Sequence, residues 1–207
     1  MGKHLSKQER EEASLQTVGS LVYGEIILPS FALILEKIRL KYGVSCGILQ
    51  SPGVDVFCDV GSGVGKVCIA AALYHDFAKV MGVEILTNLY ECSAEVKKEW
   101  DDKYRGEANR NTEVEFFLGD AMDPGVKDWS EATIVLANST CFDEALMGRL
   151  ATQCERLSPG SFVVTFTKRL PSPEFELLEQ EMHVMSWGGA TVFIQQRRAE
   201  PQESQAS

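Results

Sequence analysis

From Val54 onward, short apolar runs alternate with segments that have the spacing of amphipathic helices. The runs are rich in β-branched and aromatic residues, as buried strands are, and read VDVFCDV, KVMGVEI, VEFFLGD, TIVLANS, SFVVTFTK and ATVFIQQR. Helical patterns start near Gly65, Thr87, Asp143 and Glu174. Near-continuously apolar strands that bracket helices indicate a mostly parallel sheet covered on both faces. The sequence therefore predicts an α/β protein with a doubly wound fold.

A single domain accounts for the length of the chain. Its 207 residues can form one α/β domain with a full core, but not two of ordinary size. The segment SFALILEKIRLKY has helical spacing, with Ser30 as a candidate N-cap and Gly43 as a stop, and predicts a leading helix packed on the sheet. We expect a flexible segment over residues 1–18, the domain over 19–198 and a disordered tail over 199–207.

Charge and hydropathy limit the classes of partner and compartment. The net charge of −10 weighs against general nucleic-acid binding and favours a basic or neutral partner. No window reaches the roughly 18 to 20 apolar residues that span a bilayer, and MGKHLSKQEREE lacks a signal-peptide core, so we expect an intracellular protein without a membrane segment. The six cysteines form no CxxC pair, which predicts neither disulfides nor a metal site. Gly2 in MGKHLS matches a short acylation pattern.

The stretch DVGSGVGKV directly follows the first apolar run, and three kinds of ligand loop place glycines there. A phosphate-binding P-loop requires a leading glycine and a hydroxyl after GK, where this chain has Val60 and Val67. A dinucleotide-binding turn requires a third small residue, where this chain has Lys66. Asp59 would also repel a pyrophosphate. The dinucleotide interpretation is kept as an alternative, typical of an oxidoreductase.

The third kind of loop belongs to S-adenosylmethionine-dependent methyltransferases, with an acid, one spacer and GxGxG. Asp59, Gly61, Gly63 and Gly65 fit it at every position. This cofactor has no phosphates and carries an ammonium and a sulfonium cation, so a carboxylate at the strand end suits it.

Two further acids end the next two predicted strands. Glu84 lies about 20 residues beyond the glycines, the usual distance for an acid that binds ribose hydroxyls, and Asp120 could accept from an adenine amino group. The carboxyl ends of parallel strands meet at one edge of the sheet, so we expect both acids beside Asp59. In the alternative interpretation Asp59 and Asp120 are helix N-caps and Glu84 is a solvated loop acid.

Several motifs occur in a family-specific order: YGE at Tyr23, then DVGSGVG, GVE and GD, then an Asn-initiated segment from Asn138 to Phe142. In this order they resemble the disruptor-of-telomeric-silencing (DOT-type) histone-lysine methyltransferases, over about Tyr23 to Arg198. The resemblance implies the class I methyltransferase fold, with a seven-stranded sheet. It also implies methyl transfer from S-adenosylmethionine to a histone lysine, and residence in the nucleus, although the cytoplasm stays possible.

The resemblance carries functional roles to matching positions. The implied cofactor-binding residues are Tyr23, Gly24, Glu25, Asp59, Gly61, Gly63, Glu84, Asp120, Ala121 and Asn138. The implied catalytic residues are Asn138, Tyr23 and Phe142. Asn138 would stand beside the transferring methyl group, and Phe142 would wall the lysine channel.

Methyl transfer to nitrogen needs an in-line approach and a neutral amine. Because the pKa of lysine is near 10.4, a neutral amine at pH 7 requires roughly 4 to 5 kcal/mol, and a narrow apolar channel can supply much of it by disfavouring the charged form. Tyr23, Phe142 and Trp187 are the candidate aromatic walls, and the carbonyl oxygen of Asn138 could orient the amine.

The chain departs from the family at two places, Lys66 and Ser139 to Cys141, where many members have a glutamine and a second asparagine with aromatics. It also has no lysine-rich segment for gripping nucleosomal DNA. The substrate is therefore expected to be a basic protein, with histone as the family-implied one. A non-histone protein, a small amine and a cofactor-binding module without turnover remain alternatives.

Overall fold

The computed structural model describes residues 24–107 and 111–199. One sheet has the strand order β3-β2-β1-β4-β5-β7-β6. Its strands are β1 Val56–Val60, β2 Lys79–Glu84, β3 Glu113–Leu118, β4 Ile134–Ala137, β5 Phe162–Phe166, β6 Phe175–Met185 and β7 Gly188–Arg197. The first five run parallel, and β7 lies antiparallel between β5 and β6. The predicted doubly wound, mostly parallel, seven-stranded sheet is confirmed.

Within residues 24–107 and 111–199 there are four α-helices, of which the first precedes β1: α1 Leu28–Lys37, α2 Lys66–Tyr74, α3 Thr87–Lys103 and α4 Glu144–Cys154. Helix α1 continues as a π-turn over Ile38–Tyr42 and a 3-10 turn over Gly43–Ser45, and another 3-10 turn spans Ser139–Cys141. Asp143 caps α4, because its carboxylate accepts from the backbone N–H of Leu146 at 2.8 Å. Within the residues that the structure describes, no helix is long and apolar enough to cross a membrane.

Side chains alternate across the sheet and form a core on each face. On β1, Phe57 belongs to the core that α1, α2 and Trp100 of α3 cover, whereas Cys58 belongs to the core under α4. Asp59 is the next residue and therefore points to the same face as Phe57. This alternation brings a carboxylate to the α1 and α2 side of the sheet, at the strand end where ligands of such folds bind.

The leading helix begins earlier than predicted, so the assignment of Ser30 as its N-cap is wrong. Pro29 occupies the first turn, where its missing N–H costs nothing. Ser30 is a helix residue whose hydroxyl donates to the carbonyl oxygen of Val184 at 2.8 Å. Gly43 opens the 3-10 turn, and a side chain there would meet the carbonyl oxygen of Ile48 at 2.3 Å.

The helix predicted near Glu174 is also wrong, because the segment forms the edge strand β6. Its acidic residues have partners on the leading helix: Glu179 lies 3.6 Å from the ammonium of Lys37 and accepts from the hydroxyl of Tyr42. The hydrogen bond from Tyr42, together with the nearby ammonium groups of Lys41 and Lys37, lowers the pKa of Glu179 to about 2. Pairing with β7 and these contacts override a local composition that favours a helix.

Candidate active site

The glycine loop makes the turn from β1 into α2. Gly61, Gly63 and Gly65 all have positive φ, at 80°, 56° and 80°. Two features exclude a side chain at Gly65: its positive φ, and a Cβ position that would lie 2.5 Å from the ring of Phe116. The N–H groups of Gly61 and Ser62 donate to the carbonyl oxygen of Val83 at 2.9 and 3.1 Å. The loop is thus fastened to the end of β2.

Asp59 is 3% exposed and lies one residue before the loop. Among the described residues, no hydrogen-bond donor or cation contacts its carboxylate. Burial, with a smaller contribution from the charge of Glu84, raises the pKa of Asp59 from 3.8 to about 8. A buried carboxylate without a partner is a strong acceptor for a cationic ligand.

Glu84 is the last residue of β2, and its carboxylate hydrogen-bonds the backbone of the glycine loop. Its two carboxylate oxygens accept from the N–H of Gly63 at 2.7 Å and from that of Leu86 at 2.9 Å. The predicted acid is therefore at the expected strand end, where it also shapes the glycine loop.

Asp120 follows β3 by two residues and lies at the same edge of the sheet. One carboxylate oxygen accepts from the N–H of Met122 at 2.9 Å, and the other from the guanidinium of Arg149 at 2.7 Å. A turn and not a helix follows Asp120, so it does not cap a helix. Ala121 is buried beside it. The sequence did not predict the contact of Arg149 with Asp120, because no local pattern connects a residue of α4 with one that follows β3.

A cleft of about 360 Å³, counting space open to solvent, lies between the glycine loop and the segment that precedes α1. Its lining includes Gly24, Glu25, Asp59, Gly61, Lys66 and Asn138. Five of the predicted site residues are therefore brought together here. Glu84 and Asp120 lie at the neighbouring strand ends, outside this lining. Tyr23 lies outside the described residues.

The segment from Gly24 to Ile26 forms one wall of the cleft, and hydrogen bonds to Asn138 and Ser186 fix it in place. The side-chain N–H of Asn138 donates to the carbonyl oxygen of Gly24 at 3.0 Å. On the other side, Glu25 and Ser186 exchange two hydrogen bonds of 3.1 and 3.2 Å. The ring of Trp187 packs so closely on Gly24 that a Cβ there would lie 2.8 Å away. The candidate wall Trp187 thus lies directly behind the cleft segment.

Lys66 gives the cleft a positive charge among its acids. Its ammonium lies 3.3 Å from the carboxylate of Glu25, and both side chains are partly exposed. The sequence identified Lys66 only as a departure from the family pattern. Together with Asp59, which an ammonium beside it would ionise, Lys66 provides partners for both charged groups of the zwitterionic end of an amino acid.

Asn138 follows β4 with its carboxamide in a defined orientation. Its nitrogen donates to Gly24, as described above, and its oxygen accepts from the hydroxyl of Thr140 at 3.1 Å. Phe142 is not part of the cleft lining, and its half-buried ring packs against the core under α4. Of the two predicted catalytic residues that the structure describes, it places Asn138 in the cleft and Phe142 outside it.

The chain matches a known protein family over most of its length. The family model described as "Histone methylation protein DOT1" matches residues 5–187 of the chain. The chain belongs to the DOT1 family. A relative from Caenorhabditis elegans, a histone-lysine N-methyltransferase specific for H3 lysine-79, is 32% identical over 127 residues, which are 59% of this chain. The chain spans only 13% of the length of that relative.

Solved structures confirm the class I methyltransferase fold of this DOT1-family chain. The Bacillus subtilis tRNA methyltransferase TrmK is similar with a TM-score of 0.52 at 13% identity, over 76% of this chain and 65% of that one. The [4+2]-cyclase SpnF is similar with a TM-score of 0.62 at 13% identity, over 96% of each chain. Because the fold also supports a cyclase, the function of this DOT1-family protein must be argued from its site.

Proposed function

We propose that this DOT1-family protein transfers a methyl group from S-adenosylmethionine to a lysine amine of a basic protein, with a histone as the target. One observation carries the proposal: a buried carboxylate without a described partner, Asp59, shares a cleft with the oriented carboxamide of Asn138. The first suits a cationic cofactor, and the second suits an amine acceptor.

The charges of the cleft fit the amino-acid end of this cofactor. Asp59 would hold the ammonium and Lys66 the carboxylate, while Gly61 allows close approach of the ligand to the backbone. Glu84 and Asp120 would hold the ribose and the adenine, and Arg149 would share Asp120 with the adenine amino group. A dinucleotide would instead bring a pyrophosphate toward Asp59, which opposes the oxidoreductase alternative. When bound, S-adenosylmethionine supplies an electrophilic methyl group.

Cofactor binding should release a proton from Asp59. With a pKa of about 8, this carboxyl group is mostly neutral at pH 7, and an ammonium beside it favours the ionised form. We expect S-adenosylhomocysteine to bind more tightly as the pH rises from 7 to 9, with nearly one proton released at pH 7. Calorimetric titration at pH 7 in phosphate and in Tris measures the release, because the buffers differ in protonation enthalpy. Equal heats in the two buffers would contradict it, and NAD should produce no binding heat in either.

The acceptor amine would approach through the groups around Asn138. The carbonyl oxygen of Asn138 accepts a hydrogen bond from Thr140 and has a second lone pair that can accept an N–H of the amine. That hydrogen bond would direct the lone pair of the amine nitrogen toward the methyl group. Trp187 packs behind Gly24 and helps to keep water from that side of the cleft, and a water-poor environment disfavours the charged ammonium. These residues orient the amine and favour its neutral form, which are the two requirements of methyl transfer to nitrogen.

The substrate proposal depends on charge and on family membership. A protein with net charge −10 attracts a lysine-rich partner and steers its encounter. Histones are such proteins, and the C. elegans relative is named for a histone lysine. We include residence in the nucleus in the proposal on the same ground.

Incubation with methyl-labelled cofactor tests the activity, using free core histones and reconstituted nucleosomes in parallel. We expect label on histone lysines with the wild-type protein. Label that enters other proteins of a cell extract, but neither histones nor nucleosomes, would move the substrate to another basic protein. If no label is transferred although S-adenosylhomocysteine binds, the protein is a cofactor-binding module without turnover.

A further inference from the structure

The turn that carries Asn138 is fastened to the end of β5 by a row of side-chain contacts. The hydroxyl of Ser139, which is fully buried, accepts from the N–H of Phe166 at 3.0 Å and donates to its carbonyl oxygen at 2.8 Å. One residue further along each segment, the hydroxyl of Thr167 donates to that of Thr140 at 3.2 Å. These contacts tie two strand ends that are 27 residues apart in sequence.

Thr167 has a backbone conformation that a β-branched residue rarely adopts. Its φ is +66°, and the N–H of Lys168 donates to the carbonyl oxygen of Phe166 at 2.7 Å, which closes a γ-turn around it. Its side chain is exposed, so packing in the core does not impose this conformation. Strain of this kind persists where the surroundings fix it and is concentrated at functional sites. The turn directs the Thr167 hydroxyl to Thr140.

The two hydroxyls continue into the carboxamide of Asn138. Thr167 donates to Thr140, Thr140 donates to the carbonyl oxygen of Asn138, and the nitrogen of Asn138 donates to Gly24. Every bond in this chain has the same donor-to-acceptor direction. A flipped carboxamide would place its oxygen against the carbonyl oxygen of Gly24, so the chain permits one orientation.

We propose that Thr140 and Thr167 are positioning residues that orient Asn138 toward the methyl acceptor. This inference depends on the proposed methyl transfer, in which the carbonyl oxygen of Asn138 receives the amine. Neither threonine lines the cleft, so both act through Asn138.

The pair Thr140→Val and Thr140→Ser separates the hydroxyl from the shape of the side chain. Val keeps the volume and removes the bond to Asn138, and we expect kcat to fall about tenfold, the effect of one hydrogen bond. Ser keeps the bond, and we expect kcat within about twofold of wild type. The affinity for S-adenosylhomocysteine should stay nearly unchanged in both variants. If Ser lowers kcat as much as Val does, the hydroxyl is not responsible and the inference is overturned.

Thr167→Gly separates positioning from stability. Glycine adopts a φ of +66° without strain, so the melting temperature should stay the same or rise, while kcat falls about three- to tenfold through loss of the hydroxyl. Thr167→Ser, which keeps the hydroxyl, is the control and should retain kcat. A merely structural role would lower stability and kcat together, and that result would contradict the inference.

The side-chain amide resonances of Asn138 test the inference without catalysis. We expect them to shift in Thr140→Val and to stay in place in Thr140→Ser, relative to wild type, after assignment with Asn138→Ala. Unmoved resonances in Thr140→Val overturn the positioning role whatever the activity. If the wild type methylates no histone, the proposed function fails separately, and the resonances still decide this inference.

Discussion

Replacing Asp59 with Asn is expected to weaken binding of S-adenosylhomocysteine at least about 100-fold and to stabilise the ligand-free protein at the same time. The affinity falls because the ammonium of the ligand loses the carboxylate that it would meet in a buried position, and unpairing a buried charge costs several kcal/mol. Titration calorimetry measures this loss. An affinity close to that of the wild type would remove Asp59 from the cofactor site.

The stability gain follows from the raised pKa of Asp59. Between the unfolded value, near 3.8, and the folded value of about 8, the folded protein holds a proton that the unfolded chain has released. Stability of the wild type therefore falls as the pH rises through this window, and Asn removes that dependence. We expect the variant to melt at least roughly 5 °C higher at pH 8, with the difference shrinking toward pH 4.

Asp55 provides a matched control, because it is also a buried acid next to β1. Its carboxylate accepts from the N–H of Leu49 at 2.8 Å and therefore has a structural partner. Asp55→Asn should not raise the melting temperature and should leave the ligand affinity unchanged. If Asp55→Asn stabilises the protein as much as Asp59→Asn does, the gain reflects net charge and not the burial of Asp59.

Replacing Asn138 with Ala is expected to lower turnover at least about 100-fold while weakening S-adenosylhomocysteine binding less than about tenfold. The variant loses the neutral hydrogen bond from Asn138 to Gly24, which supports one side of the cofactor cleft, so cofactor binding should weaken only modestly. The acceptor amine loses the group that orients it, so turnover should fall much more. Single-turnover methylation of histone and titration calorimetry measure the two effects separately.

Asn111→Ala is the control for this variant, because Asn111 lies before β3 at the opposite edge of the sheet. It should leave both turnover and affinity unchanged. Equal loss of turnover and affinity in Asn138→Ala would mean that Asn138 serves the cofactor cleft alone. Unchanged turnover would remove Asn138 from the mechanism.

The fold and part of the site could be predicted because they depend on local sequence patterns. Apolar strands and helix periodicity depend on neighbours within a few residues, and this is why the sheet and the start of α4 near Asp143 were predictable. The acids Asp59 and Glu84 were predictable for a related reason, because parallel strands bring their carboxyl ends to one edge.

Apart from the Ser30 N-cap, where the neighbouring Pro29 already occupies the first turn of the helix, the errors and omissions involve contacts between distant segments. The segment from Phe175 has a helix-like composition, but antiparallel pairing with β7 makes it a strand. Lys66 meets Glu25 across 41 residues, Arg149 meets Asp120 across 29, and Thr167 meets Thr140 across 27. No spacing rule in a single sequence reports such pairs, because they depend on how strand ends and loops pack.

The sequence by itself determined the doubly wound fold, the glycine loop and the acidic strand ends, because each rests on backbone conformation and local periodicity. The tertiary structure alone decided that Asp59 has no described partner, that Phe142 packs away from the cleft, and that hydrogen bonds link Thr167 to Thr140 and Thr140 to Asn138. The physical reason is that burial and side-chain hydrogen bonding are properties of the packed chain, and neither exists until the strands and loops meet.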